Sequence, residues 1–407
     1  MSQLERTRSA PVPDPSQSGR RSRHRRRHPI RRAILIVLLI VAIPIGWSYA
    51  KALTAPGSAP VAARTIEWVK DHGGAGIVVW AENLWYSWHK PPVGGAPRGG
   101  IPVAEQPSHS PTPPHAPKAP DHLLAPPNIT PIAGNPLANE GVWQTVGRRV
   151  RGVPTVRVAF LRPDPIHTSL LAGVMWMDTK LLTPVLIAGT ESPGGGGWPY
   201  DAKVPESAYP TLAATFNSGF LLKDSQGGYI ADGRTAAAPV PGQASFVVYK
   251  DGSVNIGAWG HDVSMTPDVA AVRQNLWLMV RDGKPIPQLA TDPNPTWGAT
   301  FGGGVLVWRS GVGITNDGAL VYATGPGLSI QSLANILVHA GAVRAMELDI
   351  NTVWTNGYYY SADAKSQTGF SAHPLLSDQY RPPTRYLVPD ERDFFAMLVR
   401  PRFLPKG

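Results

Sequence analysis

A run of 17 residues without a charged side chain, from Ala33 to Tyr49, constrains this chain more than any other feature. Its length is close to the roughly 20 apolar residues that a helix needs to cross a bilayer. Trp47 and Tyr49 stand at its C-terminal end, where aromatic side chains favour the membrane interface. The run therefore predicts a transmembrane anchor over residues 33–50. A buried core helix, or a signal sequence cleaved near Ala50-Lys51-Ala52, is the alternative.

The distribution of charge gives the direction of this anchor. Residues 1–32 contain ten arginines and two acids, whereas the remaining 375 residues contain 28 bases and 26 acids. Basic residues flanking a spanning helix stay on the cytoplasmic side. We therefore expect a basic cytoplasmic tail over residues 1–32, a single-pass signal-anchor in the cell membrane, and an extracytoplasmic C-terminal domain. The predicted partner of residues 33–50 is the lipid bilayer, and no nucleic-acid partner is predicted because the body of the chain is nearly neutral.

Two segments of unusual composition follow the anchor. Residues 51–90 contain four tryptophans and a glycine-rich interruption, which predicts two short juxtamembrane helices that lie on the membrane or pack on the domain. Residues 91–137 contain 14 prolines between Pro91 and Pro136. This composition predicts a semi-rigid linker. The chain has no cysteine, which excludes a disulfide scaffold, a cysteine-ligated metal and thiol catalysis.

Short apolar runs separated by turn residues dominate from residue 138 to residue 407. Lys250-Asp251-Gly252 and Arg281-Asp282-Gly283 are hairpin signals between alternating segments. The expected fold class is α+β: a strand-rich mixed-sheet domain with a few packed helices, preceded by one transmembrane helix.

One helix and the strand after it are well marked. Ser329 is a suitable N-cap, an apolar stripe runs from Ile330 to Ala340, and Gly341 is a suitable stop. The next segment alternates apolar and polar residues, so that its two carboxylates and one amide share a face. The polar set is Glu347, Asp349 and Asn351; the apolar set is Met346, Leu348 and Ile350.

Glu347 and Asp349 are the strongest candidates for chemistry. Residues two apart on a strand have Cα atoms about 6.5–7 Å apart, which lets two carboxyls share a site with different protonation states. Glycoside hydrolysis uses such pairs. The alternative is a solvated face, or acids paired with Arg344 or Arg385.

Two further segments carry candidate residues. Asn217, Ser218 and Gly219 end a predicted strand and offer an amide, a hydroxyl and a close backbone approach, although for the isolated motif a simple turn is the default interpretation. Arg309 is suited to hold a phosphate or carboxylate through its bidentate fork, or to form a structural salt bridge.

These segments resemble, in order, the motifs of the phosphodiester glycosidase family. The resemblance covers roughly residues 150–400 and rests on FNSGF (216–220), WRSGVGITNDGALVYATG (308–325) and LSIQSLANILVHAGAVRAMELDI (328–350). Asp349 carries over, but Ile350-Asn351-Thr352 stands where the family has a glycine run ending in serine.

The resemblance implies hydrolysis of a sugar-1-phosphodiester bond in an envelope glycan or exopolysaccharide. Arg309 would hold the phosphate, and Asp349 or Glu347 would act as base or oxocarbenium stabiliser. The residues implied to bind the sugar are Asn217, Ser218, Gly219, Asn351 and Asn356. A non-catalytic envelope-glycan binding protein on the same fold is the alternative. Acids and amides suit a divalent cation, but no loop has EF-hand spacing, so no metal ligand or cofactor is assigned.

Overall fold

A computed structural model describes residues 29–74, 76–78, 80–81, 88, 90–104, 121–290, 297 and 306–404. Most of the predicted basic tail and residues 105–120 of the predicted linker lie outside this set. The contacts divide the chain into two units, residues 1–53 and residues 54–407.

The described residues of the first unit lie in helix α1 (Pro29–Thr54), whose last residue belongs to the second unit. Its 23 residues from Arg32 to Thr54 are long and apolar enough to cross a membrane. The large apolar side chains from Ile34 to Ile45 are about half exposed or more. The alternative of a buried core helix is therefore not supported, and the length and composition of α1 fit a membrane anchor and a signal sequence alike.

Three antiparallel sheets form most of the second unit, with strands numbered along the chain. The eight-stranded sheet has the order β1 (Gln144–Val150), β2 (Val153–Leu161), β3 (Ala172–Met177), β14 (Leu320–Leu328), β13 (Val307–Thr315), β15 (Ala342–Ile350), β11 (Leu278–Arg281) and β12 (Lys284–Pro285). One five-stranded sheet has the order β7 (Arg234–Ala237), β6 (Tyr229–Ala231), β10 (Val269–Gln274), β8 (Ala244–Tyr249) and β9 (Val254–Ala258). The other has the order β17 (Phe370–Pro374), β16 (Gly357–Ala362), β5 (Leu212–Asn217), β18 (Phe394–Val399) and β4 (Leu182–Ile187).

Helices are few and short in the described part of this unit. They are α2 (Val61–Val69), α3 (Leu222–Ser225) and α4 (Ile330–His339), with a π-helical turn at Lys70–Gly74 and 3-10 turns at Pro199–Ala202, Glu206–Thr211, Pro287–Ala290, Arg385–Leu387 and Pro401–Phe403. The predicted α+β, strand-rich fold class is confirmed. The described pairs of named strands are all antiparallel, so the sheets are more uniform in direction than the mixed sheet expected.

The predicted helix and its neighbouring strand form as local signals require. The Ser329 hydroxyl accepts the Ser332 N–H at 3.0 Å at the start of α4, and Gly341 has φ +94° just beyond its end. Leu333 and Leu337 are buried with Ala345 of β15 in one apolar cluster. The two predicted hairpins also form, between β8 and β9 and between β11 and β12.

The three sheets share one apolar core. Phe246 of β8 packs on Phe395 of β18 with ring centroids 4.2 Å apart, and Phe395 stacks on Phe216 of β5 at 5.3 Å. Met346 of β15 belongs to the same buried cluster. This shared core fixes the ends of β5 and β15 relative to each other.

The end of the predicted proline-rich linker belongs to the domain. Leu123 and Ile129 are 6% and 2% exposed and pack in the apolar cluster that contains α4. The Leu123 N–H donates to Asp178 Oδ2 at 2.9 Å, and the Ile129 N–H donates to the Gly141 carbonyl at 2.8 Å. The expectation of a spacer up to residue 137 is wrong for this part, because these apolar side chains bury enough surface to order it.

Replacing Leu123 by alanine should lower the free energy of unfolding by about 2–4 kcal/mol, because a buried leucine is lost and a cavity remains. Leu124→Ala is the matched control, since Leu124 is 81% exposed, and it should change stability by less than about 0.5 kcal/mol. Chemical unfolding of the full chain measures both. Equal effects of the two variants would show that this segment does not pack on the domain.

Candidate active site

The ends of β5 and β15 meet although the two strands belong to different sheets. The Asp349 N–H donates to the Ser218 carbonyl at 3.0 Å. Asn217 Nδ2 donates to Ser310 Oγ at 2.9 Å, and this hydroxyl donates to the Asp349 carbonyl at 2.7 Å. The three distant segments that the sequence analysis singled out are therefore in direct contact, the middle one through Ser310.

Asn217 uses its whole side-chain amide to hold this junction. Its Oδ1 accepts the Tyr322 hydroxyl at 2.8 Å and the Asn356 N–H at 2.9 Å. Its Nδ2 donates to the Ser218 carbonyl at 2.9 Å as well as to Ser310. An asparagine side chain offers two donors and two acceptor positions, so all four are occupied within the protein.

The close approach at Gly219 is made to a protein side chain. A Cβ at Gly219 would lie 2.7 Å from Asn275 Cγ. Asn275 Oδ1 accepts the Phe220 N–H at 3.1 Å, and its Nδ2 donates to the Glu347 carbonyl at 3.0 Å. Gly219 therefore lets Asn275 tie the loop after β5 to β15.

Arg309 and Glu347 form a buried ion pair. Arg309 Nη1 lies 2.6 Å from Glu347 Oε1, with the two side chains 3% and 0% exposed. The guanidinium also donates to the carbonyls of Leu328 and Trp297, each at 3.0 Å. This arrangement is the salt bridge that the sequence allowed as the alternative to a phosphate anchor. Burial raises the pKa of Glu347 to about 7, although Arg309 favours its charged form.

Asp349 is a buried carboxyl beside an arginine that the sequence analysis did not identify. Its Oδ1 accepts the Ile350 N–H at 2.9 Å, and its Oδ2 lies 3.5 Å from Arg392 Nη1. Burial raises the pKa of Asp349 to about 7, while Arg392 opposes this shift. Met346 and Leu348 lie in the shared core as the alternation predicts, but the polar side of β15 is buried and not solvated.

Helix α2 covers the charged groups next to Asp349. Glu67 of α2 forms an ion pair with Arg392, and Arg64 of α2 forms one with Glu391 at 2.9 Å. The Arg392 guanidinium also lies over the Trp354 ring, 4.4 Å from its centroid. Of the two placements expected for the juxtamembrane helices, α2 adopts packing on the domain.

Four consecutive charged residues before β18, from Asp390 to Asp393, were missed by sequence reasoning. All four are buried and paired, three of them with residues distant in the sequence and Asp390 with a residue five positions before it. The pairs are Asp390 with Arg385 at 2.7 Å, Glu391 with Arg64 at 2.9 Å, Arg392 with Glu67, and Asp393 with Arg273 at 2.6 Å. A run of charges directly before the uncharged strand Phe394–Val399 was the available signal.

The two remaining predicted asparagines shape the chain after β15. Asn351 lies beyond the strand with φ +83°, a left-handed conformation that asparagine tolerates. Its N–H donates to the Trp308 carbonyl at 2.9 Å. The expectation that it extends the polar face of the strand is therefore wrong, because the chain turns at this residue. Asn356 is buried, and its Oδ1 accepts the Tyr358 hydroxyl at 2.9 Å and Arg385 Nη1 at 3.0 Å.

Three buried oxygens at this junction have no hydrogen-bond partner among the described residues. They are Ser218 Oγ, Glu347 Oε2 and Asp349 Oδ2. Buried polar atoms are nearly always satisfied, so these are the atoms that a bound ligand would satisfy. Within the described part of the chain, no group of three or more histidines, aspartates and glutamates is arranged to hold a metal ion.

Comparisons with solved structures give weak overall similarity. The catalytic domain of zebrafish N-acetylglucosamine-1-phosphodiester alpha-N-acetylglucosaminidase, auto-inhibited by its pro-peptide, is 15% identical with a TM-score of 0.41, over 63% of this chain and 87% of that one. A hypothetical protein from Synechocystis is 12% identical with a TM-score of 0.32, over 61% and 63% of the two chains. No curated protein matches the chain significantly.

A family model gives the assignment. The model described as phosphodiester glycosidase matches residues 210–349. This range contains the junction between β5 and β15, including Asn217, Ser218, Glu347 and Asp349. The resemblance stated from the ordered motifs is confirmed, because residues 210–349 match the model of the phosphodiester glycosidase family.

Proposed function

We propose that this chain is a membrane-anchored extracytoplasmic hydrolase that cleaves a sugar-1-phosphodiester bond in an envelope glycan or exopolysaccharide. The observation that carries the proposal is Asp349, a buried carboxyl within the family-matched segment whose Oδ2 has no hydrogen bond and lies 3.5 Å from Arg392 Nη1. This bond requires a group that takes a proton from water and a cation that holds the phosphate. Asp349 and Arg392 supply the two.

In the proposed reaction, water attacks the anomeric carbon while the bond from that carbon to the phosphate oxygen breaks. Asp349 takes a proton from the water, and the phosphate leaves as a monoester. Phosphate is an anionic leaving group, so charge stabilisation by a guanidinium matters more than protonation. A second carboxyl is therefore not required as an acid.

Arg392 replaces Arg309 as the proposed phosphate-holding residue. Arg309 is buried against Glu347 and two carbonyls, and it keeps Glu347 in place on β15. Arg392 already holds a carboxylate from another element, namely that of Glu67. A guanidinium that already holds a carboxylate oxygen through Nη2 is suited to hold a phosphate oxygen in the same position.

This assignment gives α2 a role in substrate access. Asp349 and Arg392 are 5% and 6% exposed, and Glu67 lies on Arg392. A substrate phosphate and the Glu67 carboxylate would compete for one guanidinium, so α2 must move before substrate enters. Ser218, whose buried Oγ has no partner in the described chain, is left to bind a sugar hydroxyl. The backbone around Ser218 is held by the other predicted residues, namely Asn217, Gly219, Asn351 and Asn356.

The second candidate function is binding of envelope glycan without turnover. It is favoured by the left-handed turn at Asn351, which stands where the family has its glycine run. Release of a phosphate monoester from a sugar-1-phosphodiester distinguishes the two functions.

Asp349→Asn should lower kcat for a synthetic hexose-1-(methyl phosphate) by about 10²–10⁴-fold, because the proposed proton acceptor is removed. The full chain is assayed in lipid nanodiscs, and the measured quantity is the methyl phosphate released from the substrate. Asp268→Asn, at an exposed aspartate, is the control and should retain full activity. If the wild type turns over the substrate and Asp349→Asn does so at the same rate, Asp349 is excluded as the base.

The value of kcat/KM should rise with pH and should not fall again at high pH. A base acts only when it is ionised, and burial raises the pKa of Asp349 to about 7. We therefore expect kcat/KM to fall as pH decreases through about 7 and to reach a plateau above about 8, with no second decline from an acid group. A profile that instead rose toward acid pH would assign the titrating carboxyl as a proton donor.

Glu67→Gln should raise kcat/KM by roughly tenfold, because hydrogen bonds to charged groups contribute about 1.5–3 kcal/mol and this variant removes the charge that competes with phosphate. Glu206→Gln, at an exposed glutamate, is the matched control. An unchanged or lower kcat/KM in Glu67→Gln would show that α2 does not compete with substrate.

A further inference from the structure

A cavity of about 400 Å³ lies beside the hairpin of β11 and β12, at the edge of the eight-stranded sheet. Its walls include Gly242, Trp277, Arg281, Ile286, Gln288 and Trp297. The volume falls within the roughly 300–1,000 Å³ of small-molecule sites, which are mostly apolar with a few polar groups. This cavity has the same character and plays no part in the proposed hydrolysis.

Trp277 forms a fixed aromatic surface in this cavity. Leu276, between β10 and β11, has φ +51°, and Trp277 directly follows this turn. A Cβ at Gly242 would lie 2.8 Å from Trp277 Cζ3, so the ring rests on the backbone of Gly242. The side chain nevertheless remains 46% exposed. A half-exposed indole that rests on the backbone is suited to pack on the apolar C–H face of a sugar ring.

The polar groups of the cavity favour a neutral ligand. Arg281 Nη1 lies 3.2 Å from Asp262 Oδ1, which balances the charge of the guanidinium. Asp262 Oδ2 accepts the Ala258 N–H at 2.8 Å, so the carboxylate is held in place. A paired guanidinium still offers N–H groups to hydroxyls, but it attracts anions less than an isolated one.

Trp297 supplies an indole N–H donor. Its side chain is 2% exposed, and its indole Nε1 has no hydrogen-bond partner in the part of the chain that the structure describes. A buried N–H without a partner is costly, and a sugar hydroxyl would satisfy it. The Trp297 carbonyl accepts Arg309 Nη1 at 3.0 Å, so this wall of the cavity also contacts the Arg309–Glu347 pair.

We propose that this cavity is a saccharide-binding site that takes one or two neutral sugar rings, stacked on Trp277 and hydrogen-bonded by Arg281 and Trp297. The site is separate from the carboxyl of Asp349. The proposal concerns sugar binding and not turnover, so it goes beyond the proposed hydrolysis and is tested independently of it.

The test is calorimetric titration of the full chain in phosphatidylcholine nanodiscs with maltose, cellobiose and di-N-acetylchitobiose. We expect at least one of them to bind with a Kd on the order of 1 mM. Trp277→Ala should weaken that binding by at least about tenfold, and Trp277→Phe by less than about threefold, because the phenyl ring keeps a stacking face. Trp80→Ala, at a tryptophan that is 65% exposed outside the cavity, is the control and should bind as the wild type does.

Asp349→Asn should also bind these sugars as the wild type does, which separates this site from the hydrolytic one. Absence of binding by all three sugars, or equal binding by wild type and Trp277→Ala, would overturn the proposal. Tighter, Trp277-dependent binding of glucose 1-phosphate than of the neutral sugars would overturn the assignment to a neutral ligand.

Discussion

The hydrogen bonds between the end of β5 and the end of β15 are the contact on which the candidate site depends. The two strands belong to different sheets, and Asn217, Ser310 and the backbone of Ser218 join them at distances of 2.7–3.0 Å to each other and to Asp349. The aromatic packing of Phe216, Phe246 and Phe395 holds the sheets in the same relation. The backbone at Asp349 is therefore held from both sides, and the residue is buried, with 5% of its surface exposed.

Burial then determines the chemistry of the acids on β15. Taking a carboxyl out of water favours its neutral form, and the nearby guanidinium groups offset only part of this effect. Glu347 is held by Arg309 at 2.6 Å, whereas Asp349 meets Arg392 at 3.5 Å and keeps one oxygen without a hydrogen bond. The two acids lie two residues apart on one strand, yet Glu347 is held by a short ion pair, whereas Asp349 has a longer one and an oxygen without a hydrogen bond. Glu67 of α2 supplies the anion that Arg392 holds in this state.

Local sequence signals predicted helix α4 and strand β15, but they did not predict contacts between residues distant in the sequence. The Ser329 cap, the apolar stripe and Gly341 lie within 13 residues of each other, so α4 could be predicted from the sequence, as could the alternation in β15. The meeting of Asn217 with Asp349 was expected only through the family resemblance. The pair of Arg392 and Glu67 joins residues 325 positions apart, and no local pattern encodes it. Alternation assigned Glu347 to a face but could not say whether Arg309 would bind it or a phosphate. The proline-rich composition of residues 91–137 similarly gave no indication that Leu123 and Ile129 pack in the domain.

The central claim is that Arg392 and Asp349 receive the phosphate and the reacting water of a sugar phosphodiester. A crystal structure of the Asp349→Asn variant with a bound hexose-1-(methyl phosphate) tests it most directly. The account predicts the phosphate on the Arg392 guanidinium, in the position that Glu67 now occupies, with the anomeric carbon next to residue 349. A ligand bound elsewhere, with the pair of Glu67 and Arg392 intact, would contradict it.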